Sequence, residues 1–234
     1  MYNKGRVEGR REELKKRLLE KLRRLAESRT VFDPRVFSDP LAEKTDWSPL
    51  KPGGANFATH RLLREGDRLE FKISPGARIF SLVFLLVGLG LLAGFAVPLV
   101  QRRPLVFREQ DLGGLVGLVF AAAGWFLHRH FNRPVVFDRR SGYFWKGRIP
   151  PNQLVSREAG KDSCPLKEIH ALQIIAERVR GDKSSYWSYE LNLVRKDGRR
   201  LNVVDHGSLE VIRTDAAAAA DFLQVPLWDA SQQV

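Results

Sequence analysis

Few side chains in the sequence are able to do chemistry, and they are scattered: five histidines, His60, His128, His130, His170 and His206, and a single cysteine, Cys164. A zinc site needs three or four converging His, Cys or carboxylate ligands, and among the histidines only His128-Arg129-His130 forms a close pair in sequence. That pair follows Trp125 where an apolar run ends, a place where polar and aromatic residues serve as membrane-interface groups. Asp205-His206-Gly207 has catalytic residue types, but neighbours in sequence do not form a relay, and no G-x-S-x-G elbow supplies a nucleophile. The triplet reads as a turn leading into a last helix. Cys164 stands before Pro165 in the polar stretch GKDSCPL, a loop that leaves room for an exposed thiol; a nucleophile there would need a neighbouring base or another cause of a low pKa. With no second cysteine there is no internal disulfide, which fits a reducing compartment. Glycine-rich phosphate loops, paired acids and charges within the apolar runs are absent as well. The reading is of a protein that is not an enzyme, with no catalytic residue, cofactor, metal or evident small-molecule substrate.

The elements around these residues carry more information. The chain has 234 residues, 44% hydrophobic and 28% charged, with a formal net charge of +12, enough for one or two domains with a real core. Ile79 to Val100 is 22 residues without a charge, about 33 Å of helix against a bilayer core of about 30 Å. Leu112 to Leu127 adds a shorter uncharged run of 16. A core helix of a soluble protein keeps a polar stripe, and neither run has one. With only Gln101 to Asp111 between them, the two runs (79–100 and 112–127, within 78–128) are expected to form an antiparallel transmembrane hairpin. Gly90 and Gly94 in the first run, and Gly113, Gly117 and Ala121 in the second, have the small-residue spacing that lets membrane helices approach closely. Pro98 falls in the last turn of the first run, where a missing backbone bond costs least. Lys and Arg number five between Arg61 and Arg78, six between Arg129 and Arg148, and three (Arg102, Arg103, Arg108) in the connecting loop. The bias predicts a multi-pass inner-membrane protein with both termini cytoplasmic. No apolar h-region with a cleavage site precedes Ile79, so the first run is expected to be an uncleaved insertion signal.

Residues 1–30 are basic, and Leu14, Leu18, Leu22 and Leu25 mark one apolar helix face. This amphipathic helix is expected to lie on anionic lipid, to pair with a partner helix, or to cover the protein's own domain. Residues 31–56 carry four prolines and two adjacent glycines and read as an extended linker, with Phe32, Phe37, Leu41 and Trp47 available to pack along a surface or a partner. Nucleic acid is not expected as a partner, because topology accounts for the basic residues and no aromatic-interleaved motif appears.

Alternating apolar residues predict strands at 59–63, 68–73, 134–137, 143–146, 169–178, 186–195 and 200–204, with turns at Arg64-Glu65-Gly66-Asp67, Asp138 to Gly142 and Lys196-Asp197-Gly198-Arg199. A helix follows from an N-cap at Ser208, through Ala216 to Ala220, to about Gln224. Seven strands and a terminal helix, with segments such as ELNLVRKDGRRLNVV and FLQVPLW, resemble the bacterial membrane-anchored proteins with pleckstrin-homology-like (PH-like) domains. The resemblance implies an α+β membrane protein in which a PH-like barrel is split into 57–77 and 129–225 by the hairpin, with 226–234 as a tail. A separate five-strand-plus-helix domain at 134–225 is the other arrangement. Basic turns of PH-like folds meet anionic headgroups, so the resemblance implies lipid or partner contacts at Arg139, Arg140, Lys196, Arg199 and Arg200. The expected function is a non-catalytic scaffold presenting its domain to a protein partner or a second copy; the alternative is an anionic headgroup sensor or a small subunit of a larger membrane assembly.

Overall fold

Period-two alternation places strands at all seven expected positions: β1 (His60–Glu65), β2 (Arg68–Ile73), β3 (Val135–Asp138), β4 (Tyr143–Lys146), β6 (Ile169–Arg180), β7 (Ser185–Arg195) and β8 (Arg200–His206). The computed structural model describes residues 13, 15, 32–101, 111–153, 162–181 and 184–232. All but Glu13 and Lys15 of the expected basic helix, and the loop carrying Arg102, Arg103 and Arg108, lie outside the described residues. Two short strands were not legible. β5 (Ser163–Pro165) contains Cys164, which is buried against Phe144 rather than exposed in a loop. β9 (Leu227–Asp229) lies in the expected tail and pairs in parallel with β6, burying Trp228. Three residues are too few to show an alternation.

The chain is α+β, with one sheet ordered β1-β2-β3-β4-β5 and a second ordered β8-β7-β6-β9. The sheets do not close into a barrel: among the described residues a single isolated bridge, Ala58 with His206, joins them. Leu69, Phe71, Phe137 and Phe144 of the first sheet pack on Leu172, Ile174, Leu191 and Leu193 of the second. A short helix α1 (Pro40–Lys44) precedes the sheets, and the helix α4 (Leu209–Leu223) caps their core through Ile212, Ala216, Ala219 and Phe222. Its small alanines let the helix backbone approach the strands closely. Ser208 stands at its N-cap without a side-chain capping bond.

Between β2 and β3 run α2 (Pro75–Val100) and α3 (Asp111–Phe131). Both are long and apolar enough to cross a bilayer, and little of either is buried within the protein. Ser74 ties α2 to the sheet, its Oγ donating to the Ala58 carbonyl at 2.5 Å and accepting from the Ala77 N–H. After α3 the chain rejoins β2: Arg68 pairs with Asp138 and Phe71 with Val135. The hairpin 57–73 therefore belongs to the same sheet as residues 135–146.

The two helices meet along Gly88 against the Ala121 backbone, Gly117 against Leu91 and Leu92, Gly124 against Leu85, and Gly114 against Phe95, with Phe84 stacked on Phe120 at 5.4 Å. Gly117 and Ala121 lie in the contact, whereas Gly90, Gly94 and Gly113 face open space. The reason is angular. Positions 114, 117, 121 and 124 alternate three and four apart and stay on one seam, while at 100° per residue Gly90 points away from the line through Gly88. Gly88→Leu or Gly124→Leu should cost on the order of 3 kcal/mol or more through backbone collision, and Gly90→Leu should leave stability unchanged; thermal unfolding in detergent checks both.

Candidate functional site

The stretch 31–56 that read as a linker forms a strap over its described residues, 32–56, and continues into Phe57. Phe37, Leu41, Ala42 and Trp47 pack on Ala171, Val194 and Trp228 across the outer face of the second sheet. Trp47 lies 4.4 Å from Phe32 and 5.9 Å from Trp228, ring centre to ring centre. Polar ties fix its course: His170 to the Asp39 carboxylate at 2.7 Å, Arg200 to Asp46 at 2.8 Å, and the buried Glu190 carboxylate accepting from the Leu50 and Lys51 N–H groups at 2.9 Å each. Beyond Gly54 the strap turns under the domain, where Gly207 donates to the Phe57 carbonyl. A Cβ on Gly207 would stand 2.1 Å from the Asn56 carbonyl carbon, so only glycine permits this approach. Phe57 then meets Phe80 of α2 and Phe131 of α3.

A cavity of about 330 Å³ opens at this junction of strap, sheets and apolar helices. Lys51 and Gly54 of the strap, His60 of β1, His130 and Arg133 at the exit of α3, Lys146 of β4, and Asn202 and Asp205 of β8 line it. Lys146 donates to the Asn202 amide oxygen at 2.8 Å, and the Asn202 amide donates to Asp205 at 2.9 Å. The Thr59 hydroxyl donates to the Asp205 carbonyl and lies 2.9 Å from His60 Nδ1. Burial, reinforced by the charge of Lys51, holds the Lys146 ammonium down to about 7. Burial and the nearby Lys146 depress His60 to about 4. Burial pushes the Asp205 carboxyl up. Lys51 and Lys146 thus share the cavity with the Asp205 carboxylate, while Arg133 at its edge pairs with Asp162 at 3.1 Å, in a site that solvates charge poorly.

The basic turns lie away from this cavity and make local contacts. Arg139 lies over the Phe222 ring and donates to the Phe222 carbonyl, Arg140 pairs with Asp67, and Arg199 with Asp197, while Arg200 is spent on the strap. Lys196 is exposed. The turns carrying Arg139, Arg140, Lys196 and Arg199 sit at the strand ends opposite α2 and α3, since β2 runs into α2 and β8 runs towards Phe57. His128 faces Ser81 of α2 at 3.2 Å and His130 faces the cavity, so the pair does not converge. Asp205 and His206 point to opposite sides of β8, His206 accepting from the Ser208 N–H. Burial raises the Cys164 thiol to about 12. The cavity residues have one signal in sequence: Lys146 is two residues from Phe144, so if Phe144 points inward, Lys146 does too.

Neither a protein-family model, nor a curated protein, nor a solved structure matches this chain.

A buried lysine that prefers to be neutral should leave a mark on stability. Its folded pKa lies below its unfolded value of about 10.4, so the unfolded chain binds the extra proton between those values and stability rises from about pH 7 to pH 10. His60 adds a second rise between about pH 4 and 6.5. Thermal unfolding across pH should show both, and Lys146→Met should flatten the upper rise while raising stability at pH 6.

Proposed function

We propose that this protein is a non-catalytic, membrane-anchored binding module whose junction cavity takes the phosphate group of an anionic ligand, foremost a lipid headgroup. The observation that carries the reading is Lys146: a cation held in a desolvated cavity beside Lys51 and hydrogen-bonded to an amide is costly when empty and is compensated by an arriving anion. The cavity lies where α3 leaves the apolar span, at headgroup depth if the helices cross a bilayer. The order of seven antiparallel strands and a capping helix supports a PH-like fold opened at one side, and the Lys/Arg bias supports an inner-membrane hairpin with both flanking segments cytoplasmic.

Isothermal titration of the full chain in mild detergent with dihexanoyl-phosphatidylglycerol tests this. The phosphodiester keeps one charge across the range, so pH dependence reports the protein. Affinity should fall up to about tenfold per pH unit above 7 as Lys146 loses its proton, and Lys146→Ala should weaken binding at least about tenfold at pH 6. Binding indifferent to both would refute the cavity as the site.

The scaffold reading draws on a different observation, the open face of α2 at Gly90 and Gly94. If a partner helix or a second copy packs there, Gly90→Leu with Gly94→Leu should remove it from affinity-purified material without altering the thermal unfolding of the chain. Retention of every co-purifying protein would set that reading aside.

A further inference from the structure

The strands β6 and β7 outrun their sheet. The last pair between β7 and β8 is Tyr189 with His206, and β9 covers β6 only from Leu172 to Ile174. From Glu177–Ser188 to Arg180–Ser185 the two strands pair only with each other. Four residues past Tyr189 carry the ribbon about 13 Å beyond the sheet. Its direction follows from the topology. Gly207, next to His206, bonds to Phe57, which touches Phe80 and Phe131 of the apolar helices. The ribbon therefore projects from the end of the domain that carries α2 and α3.

Its two faces differ. On one, Glu177 accepts from the Gly53 N–H and the Tyr186 hydroxyl donates to the Gly54 carbonyl, which fixes the ribbon to the strap. The other presents the cross-strand pairs Arg178–Trp187 and Arg180–Ser185, with the Arg178 guanidinium 5.9 Å from the Trp187 ring centre and Trp187 37% exposed. A two-stranded ribbon with a partly exposed tryptophan gains little in water, whereas tryptophan beside arginine suits the anionic bilayer interface, where the ring sits among headgroups and the cations meet phosphates.

We propose that the β6–β7 tip is a second membrane contact, in which Trp187 enters the interface of the leaflet that α2 and α3 leave, and Arg178 and Arg180 bind its anionic lipid. The contact rests on the membrane reading of α2 and α3 but not on ligand binding in the cavity. It gives the domain two points of attachment, which fix its tilt over the bilayer.

The test is bromolipid quenching of the full chain reconstituted into vesicles of phosphatidylcholine and phosphatidylglycerol. The Trp187 signal is the difference between the wild type and Trp187→Phe; that of Trp125, on α3, comes likewise from Trp125→Phe. Both differences should be quenched by brominated chains, Trp187 by about two-fold as befits an interfacial ring. Arg178→Glu with Arg180→Glu should abolish quenching of Trp187 and leave that of Trp125 intact. Quenching of Trp125 without Trp187 would overturn the tip contact and spare the membrane hairpin, whereas loss of both would overturn the membrane reading itself. Trp187 quenching that survives the double charge reversal would overturn the assignment to the arginines.

Discussion

The pairing of β2 with β3 is the constraint on which the rest of the structure depends. Adjacent strands lie about 4.8 Å apart, so an excursion of two helices between them must leave and return at nearly the same point. Phe71 opposite Val135 fixes that point on the sheet side. On the helix side the closeness is met by backbone contact at Gly88, Gly117 and Gly124, where any larger residue would spread the helices and strain the ladder. Ser74 makes the joint stiff, since one hydroxyl serves both the α2 N-terminus and the Ala58 carbonyl.

The cavity is a product of that joint. The ladder ends at Phe71–Val135, and strap residues Lys51 to Phe57 line the space beside that end together with His130, Phe131 and Arg133. An apolar filling would make a more stable protein. Instead the inward end of β4 is Lys146, bonded to an amide rather than to a carboxylate, and the nearest carboxylate, Asp205, is itself bound by that amide. A polar arrangement of this kind lowers stability when empty, and the proposed anion site rests on it.

The strap was partly legible. Its prolines and glycines exclude regular structure, and its spaced aromatics announced a surface to pack on. Which surface was hidden, because Trp228 reaches it only through a parallel pairing of β9 with β6, and a three-residue strand leaves no period to read. Arg200 illustrates the same limit. It read as turn charge beside Asp-Gly, yet its side chain is nearly fully buried between Asp46 and the Ser48 carbonyl, residues more than 150 positions away.

Local sequence determined the seven longer strands, the terminal helix, the two apolar helices and their order, because periods of two and 3.6 and the turn residues are properties of a few neighbouring positions. Only the tertiary structure decided which glycines face each other, that the two sheets stay open rather than close into a barrel, that Cys164 is buried, and that Lys51, His60, Arg133, Lys146 and Asp205 share one cavity. Each of these depends on distant segments meeting at a particular register and angle, and the two-residue step from Gly88 to Gly90 on α2, about 200° of rotation, separates a glycine in the contact from one that faces outward.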